Sequence, residues 1–395
     1  MYQKETLLFE SGGRSHFRIP SVVATKNGTV IAFCNDRRDT VDDEASEVTL
    51  SCAIKKPGED WSEVKTLVGI PGWACGMGSA IYDDITDTVF CTFGRSPVTK
   101  NEFAKLSEEE SKELQRRAAE AIAASGVKPG TFILVSTDNG ETWQERPHSV
   151  EHRPFVRFDG EEVMIGGGCH GSSHGIRLRH GEHAGRLLCP SRVTVKEYHS
   201  WEGLKTCSHN NAIYSDDRGL TWHACAPVQA GTGEGTLIEL GDGTITYNSR
   251  AYFKDQKRYL ATSTDGGETW GDFRCDDFLI EEAGIGCNAS FLRVDLDDLS
   301  DEDRARLPEG AEDVTVFVNP RAEYRRNITG CVSFNGGRTW SHTKTIWQDE
   351  GAYSSLDYSK ADGRFYLLYE KGRTNRDPYE QGIAMVEFDL EWLLG

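Results

Sequence analysis

Short apolar runs separated by polar turns fill most of this chain. Thr6-Leu7-Leu8-Phe9, Arg18-Ile19-Pro20-Ser21-Val22-Val23 and Gly28-Thr29-Val30-Ile31-Ala32-Phe33 read as successive strands, with Lys26-Asn27-Gly28 as a hairpin turn between the last two. The same texture continues to the far end, where Ile383-Ala384-Met385-Val386-Glu387-Phe388 reads as a closing strand. Two segments carry helical spacing instead. Ser107-Glu108-Glu109-Glu110 has the form of a capping box, Leu114, Ala118, Ala121 and Ile122 follow at helical spacing, and Gly126 supplies a stop. A helical insertion over residues 102–126 is therefore predicted. A second, shorter helix is predicted between Leu299 and Gly310, capped by Ser300 and ended by Pro308.

One eight-residue phrase punctuates the strands. Ser136–Trp143 reads S-T-D-N-G-E-T-W, Ser215–Trp222 S-D-D-R-G-L-T-W, Ser263–Trp270 S-T-D-G-G-E-T-W, and Ser333–Trp340 S-F-N-G-G-R-T-W, with Asn335 in place of Asp. Ser51–Trp61 resembles a worn fifth copy that keeps the Gly and Trp. The third-position Asp can accept backbone N–H bonds across a tight turn, the fifth-position Gly can take φ > 0, and the Trp buries a ring on the next layer. A repeated hairpin unit implies stacked or radial sheets sharing a core. Many short strands with such turns predict an all-β fold, a six-bladed β-propeller in one domain over residues 1–395. At about 40 to 60 residues per blade, six blades use this length.

Composition narrows the partners. A formal net charge of −19 argues against nucleic acid and anionic membranes, and obliges any anionic substrate to be captured by a local Arg cluster. No apolar run approaches membrane-spanning length, so no membrane insertion is expected. Eleven Cys without C-x-x-C spacing read as reduced, buried thiols. Met1–Thr6 shows no apolar signal run, so a cytoplasmic enzyme is expected, or a secreted one had a signal been trimmed. Cys169, His170, His174, His180 and His183 fit no regular zinc spacing.

At His16-Phe17-Arg18-Ile19-Pro20 the chain resembles the F/Y-R-I-P motif of exo-sialidases, and the repeated phrases resemble their Asp boxes. The resemblance runs from Arg18 to Glu370 and implies a propeller with its site at one end of the central axis. It further implies three Arg that hold a sugar carboxylate. Arg18 matches the first through R-I-P; Arg250, in Asn248-Ser249-Arg250, matches the second; Arg325 matches the third, with Arg326 as its neighbouring competitor. Guanidinium suits this task, being permanently charged and shaped as a planar fork.

The same resemblance supplies the chemistry. Gly351-Ala352-Tyr353-Ser354-Ser355-Leu356 resembles the segment of the nucleophilic Tyr, which makes Tyr353 the candidate. A neutral phenol avoids the repulsion that a carboxylate nucleophile would meet from the sugar acid, and sialidases depart from the two-carboxylate scheme in this respect. A phenol needs a base within reach, and Glu234, sixteen residues before Arg250, matches it. The acid/base falls in Asp36-Arg37-Arg38-Asp39-Thr40-Val41-Asp42-Asp43-Glu44, where alignment from Arg18 favours Asp43 over Asp42. Crowded carboxylates would raise one pKa, as a general acid requires. Arg37 matches a residue that contacts the sugar's hydroxyl edge, and Glu370 one that holds Arg18. Gly171–Ile176 and Gly185–Pro190 also resemble family text and are expected to shape a sheet near the pocket.

The expected reaction is retaining exo-hydrolysis of a terminal α-linked sialic acid from glycoconjugates, with no metal or organic cofactor. Two alternatives stay open: the same chemistry on KDN or another 2-keto-3-deoxy acid, and a non-catalytic, Asp-box carbohydrate-binding propeller.

Overall fold

The computed structural model describes residues 1–41, 46–98, 108–157, 160–168, 173–194, 208–282, 284, 286–373 and 377–395. The fold is all-β, built mainly from antiparallel meanders. Ser15–Ala24, Val30–Arg38, Val48–Lys55 and Lys65–Val68 form one meander, followed by Trp73–Asp83, Thr88–Pro97, Gly130–Ser136 and Gln144–Pro147. Next come Ile176–Arg177, Leu187–Thr194, Ser208–Ser215 and Trp222–Ala224, then Thr232–Glu239, Ile245–Ala251, Lys257–Ser263 and Gly271–Ile280. Ser290–Asp295, Asp313–Pro320 and Arg326–Ser333 pair onto the first half of the long strand His342–Ser359. Its second half continues into Arg364–Arg373, Asp377–Phe388 and, last, the N-terminal Gln3–Glu10. The two ends of the chain thus meet in one sheet, with Gln3 opposite Phe388.

The leading strands of these meanders touch in turn. Ser15–Ala24 contacts Trp73–Asp83, which contacts Ile176–Arg177, then Thr232–Glu239, Ser290–Asp295 and His342–Ser359, which returns to Ser15–Ala24. Separate apolar clusters fill the spaces between neighbouring sheets. Ile31, Phe33 and Leu50 pack on Cys91, Phe93 and Leu134; Ile81 and Phe90 on Leu187, Ile213 and Trp222; Val314, Val316 and Val318 on Leu367 and Val386. Middle strands are covered on both faces, which explains why Val30–Cys34 and Phe365–Tyr369 read as continuous apolar runs rather than alternating ones.

The repeated phrases form matching turns. Ser136 Oγ accepts from the Gly140 N–H at 2.8 Å, and Asp138 accepts from the Thr142 N–H at 2.9 Å and the Thr142 hydroxyl at 2.6 Å. The Ser215 and Ser263 copies repeat these bonds. At Asn335 the backbone bond from Thr339 persists at 2.9 Å, but the amide now donates to the Thr339 hydroxyl. The left-handed conformation extends to the fourth position as well as the fifth: Asn139 has φ 56° and Arg218 φ 61°. The fifth-position Gly also lies against the preceding sheet, since a Cβ on Gly140 would come within 2.8 Å of Ile31 Cδ1.

A helix spans Glu108–Ser125, with Gly126 in the left-handed region (φ 66°) and its N–H bonded to the Ile122 carbonyl. Ser107, at the head of the capping box, lies outside the described residues. The second helix, Asp301–Ala305, is shorter than its sequence window: Ser300 caps it, and before Pro308 is reached the chain passes to i→i−3 bonds, from the Arg306 N–H to the Asp303 carbonyl and from the Leu307 N–H to the Arg304 carbonyl, both at 3.1 Å.

Candidate active site

The expected site residues gather at one end of the meanders. Arg18 and Glu234 lie toward the N-terminal ends of leading strands and Tyr353 near the start of the second half of His342–Ser359, Arg250 and Glu370 toward the C-terminal ends of second strands, and Arg325 just before a third strand. Antiparallel pairing puts all of these at the same end. The repeated turns, which start at the C-terminal ends of third strands, lie at the opposite end.

Tyr353 is the centre of the cluster. Its hydroxyl donates to Glu234 Oε1 at 2.7 Å and accepts from Arg250 Nη1 at 2.6 Å. The same Arg250 nitrogen donates to Glu234 Oε2 at 2.6 Å, so phenol, carboxylate and guanidinium form a closed triangle. Burial raises the Tyr353 pKa well above that of a free phenol; Arg250 opposes this and Glu234 reinforces it. Burial would also raise Glu234, but the Arg250 charge and the Tyr353 hydroxyl outweigh it and hold the carboxyl at about 2. A protonated phenol thus faces an ionised carboxylate, the arrangement a base-assisted nucleophile needs.

Arg18 is buried and donates to Glu370 from Nε at 2.6 Å and Nη2 at 3.3 Å. Burial alone would lower its pKa, and the Glu370 charge overrides that and raises it. Glu370 is wholly buried and accepts two further bonds, from the backbone N–H of Ile19 at 3.0 Å and of Tyr353 at 3.1 Å. One carboxylate therefore ties the R-I-P segment to the Tyr353 strand. Ile19 has φ 61°, a costly conformation for a β-branched residue, at the bulge between Arg18 and Ser21. The Glu370 bond holds it there.

Arg325 faces the Tyr353 ring, 5.3 Å from guanidinium carbon to centroid, and donates to the Gly286 carbonyl at 3.1 Å and to the Tyr379 hydroxyl. Arg326 turns outward to the Tyr324 hydroxyl at 3.1 Å, which separates the two Arg that sequence left adjacent. Gly286 is braced from behind. Arg258 and Glu281 form a buried ion pair, with Arg258 donating to the Cys287 carbonyl at 2.9 Å and Glu281 accepting from the Cys287 N–H at 3.0 Å. Arg37 is buried, and both it and Arg18 donate to the Val41 carbonyl. Asp42 and Asp43 lie outside the described residues, as do Cys169, His170, Gly171 and Ser172.

Two residues at this end escaped the sequence reading. Tyr379 stacks on Arg18 with 3.6 Å between guanidinium carbon and ring centroid. Arg192 lies close enough to Glu234 for its charge to lower that carboxyl. Neither stands in a motif quoted above; a Tyr in a polar hairpin carries no periodic signal. The Gly185–Pro190 segment corrects one expectation. Arg186 lies at the repeated-turn end, bridging Asp216 at 2.8 Å and Glu268 at 3.0 Å, because its strand enters opposite Ser215 and only reaches the cluster at its far end.

A separate cavity of ≈ 450 Å³ opens toward Ala24, the other end of the first leading strand, beside His174, Glu239 and Asp357. Its Arg177 pairs with Asp84, Arg293 with Asp313 at 2.9 Å and Lys360 with Asp298 at 2.8 Å. The Tyr353 cluster differs in gathering three arginines around one phenol ring, with Arg325 donating to the Gly286 carbonyl and the Tyr379 hydroxyl, which makes it the better candidate for an anionic ligand.

Residues 115–367 match the family model described as the BNR repeat-like domain. The chain is 27% identical to a sialidase of Micromonospora viridifaciens over 97% of its own length, and 23% identical to a sialidase of Bacteroides fragilis over 90%. It spans 53% and 60% of those two relatives. In three dimensions it resembles the intramolecular trans-sialidase of Ruminococcus gnavus, with a TM-score of 0.68, 17% identity and 98% of each chain covered. The chain belongs to the BNR repeat-like family.

Proposed function

We propose that this chain is a retaining exo-α-sialidase, folded as a six-bladed propeller in which the meanders are the blades and the ring of leading strands surrounds the axis. The closed triangle of Tyr353, Glu234 and Arg250, with Arg18 and Arg325 around the same ring, carries the reading.

Arg18, Arg250 and Arg325 take the carboxylate of a terminal sialic acid. Asp43, by its place after Arg37, protonates the departing glycosidic oxygen. Tyr353 Oη attacks the anomeric carbon as its proton passes to Glu234, giving a tyrosyl glycoside. Asp43, now a carboxylate, then takes a proton from water that displaces Tyr353, and Glu234 returns its proton to the phenolate. A substrate carboxylate on Arg250 would offset the charge that depresses Glu234, so binding itself makes that base stronger.

Arginines read the carboxylate and not the rest of the sugar, so a panel of chromogenic α-glycosides tests the assignment. Turnover is expected on the N-acetylneuraminic acid glycoside, with the KDN and eight-carbon acid glycosides ranking below it and neutral hexosides inert. Turnover on none of the acids would leave a binding module and overturn the proposal.

A further inference from the structure

Of the three clamp arginines, two are matched by carboxylates: Arg18 by Glu370 and Arg250 by Glu234. Among the described residues, Arg325 is held differently. Its terminal nitrogens donate to the Gly286 carbonyl and the Tyr379 hydroxyl, both neutral acceptors. Tyr379 serves Arg18 too, by placing its ring on the guanidinium face at 3.6 Å while Glu370 and the Val41 carbonyl occupy the in-plane edges. The residue stands two positions into the strand Asp377–Phe388, just past the hairpin closed by Arg373 opposite Asp377, and its own N–H is fixed on the Asp377 carboxylate at 3.0 Å. It packs against the small apolar cluster of Cys287, Ala352 and Tyr353, as does Ile19.

Guanidiniums gathered round one ring repel each other, and burial adds to the cost of their charge. A carboxylate partner relieves this but neutralises the group. A phenol oxygen and an aromatic face attract a cation without cancelling it. We propose that Tyr379 is a positioning residue of the carboxylate clamp: its ring fixes Arg18 and its hydroxyl fixes Arg325, spacing the two for one carboxylate while Arg325 keeps its full charge for the substrate. This rests on the reading of the trio as a sugar-acid clamp.

Tyr379→Phe and Tyr379→Ala in the full chain separate the two contacts, after far-ultraviolet circular dichroism and thermal unfolding confirm that each variant folds. The probes are the 2,3-didehydro-2-deoxy derivative of N-acetylneuraminic acid and its methyl ester, whose affinities are measured by calorimetry alongside KM and kcat. Tyr379→Phe keeps the ring and loses the hydroxyl; it is expected to weaken the acid roughly tenfold, the scale of one hydrogen bond to a charged group, and to leave the ester unchanged. Tyr379→Ala is expected to lose a further few-fold, on the order of a cation–π contact. KM should rise in step, with kcat moved less. An unchanged acid-to-ester preference in both variants overturns the proposal, and so does tighter acid binding by Tyr379→Phe, which would make the phenol a competitor of substrate. Because affinity is the readout, a wild-type protein that prefers the acid yet turns over no glycoside sinks the hydrolase reading alone.

Discussion

Glu370 ties the Arg18 segment of this site to the Tyr353 strand. It is wholly buried, neutralises Arg18 and accepts the N–H groups of Ile19 and Tyr353. Glu370→Gln keeps the shape but strands a buried guanidinium, and removing one partner of a buried pair costs about 3–5 kcal/mol. Denaturant unfolding should register that loss, with KM rising as Arg18 drifts; an unchanged midpoint would contradict it. Glu234 makes a pH-dependent contribution of the other kind. Its carboxyl is depressed to about 2 in the folded chain, so the stabilisation is present above the unfolded value of about 4.3 and is lost as pH falls from there toward 2. The stability gap between wild type and Glu234→Gln should therefore shrink across that window and stay constant above it, as measured by unfolding at a series of pH values. Arg18, Arg250, Glu234 and Tyr353 were legible in sequence because each sits in a short motif whose neighbours fix its strand position. Tyr379 was not, because its role depends on where a distant hairpin places one ring.

At the scale of the element, the repeated turn shows what local chemistry can and cannot announce. The Ser, Asp and Gly positions do what their side chains suggest. The left-handed fourth residue was hidden, since Arg218 there is no turn former; its guanidinium bonds the Gly185 carbonyl at 3.3 Å and Asp83 at 3.4 Å instead. The fifth-position Gly meets two demands at once, a φ of 85° at Gly140 and a contact with Ile31 that leaves no room for Cβ. Gly140→Ala should cost about 1–3 kcal/mol through backbone strain and crowding. Urea unfolding of the variant checks this, and a neutral result would mean that the turn yields at no cost. The second helix was overextended in sequence because Pro308 looked like the stop, whereas the chain had already tightened from α-helical to i→i−3 bonding at Arg306.

At the scale of the molecule, the site exists only if the meanders are held in their order, since Arg18, Glu234, Arg325 and Tyr353 come from different ones. The N-terminal strand completes the last sheet against Asp377–Phe388, the strand that also presents Tyr379. Deleting residues 1–10 would leave that strand as an open edge, a template for pairing between copies. A lowered unfolding temperature and aggregation on size-exclusion chromatography are expected, and a monomer of unchanged stability would contradict the closure. The all-β class was readable from the repeats and the short apolar runs, but the joining of the two ends was not, because Gln3–Glu10 and Asp377–Phe388 share no sequence signal that pairs them. The central claim is that these distant segments deliver a nucleophilic phenol to a carboxylate clamp. Brief incubation with a 2,3-difluoro sialic acid analogue, followed by peptide mapping, tests it most directly: the glycosyl adduct should lie on Tyr353, and a label on any other residue, or none alongside undiminished turnover, would contradict it.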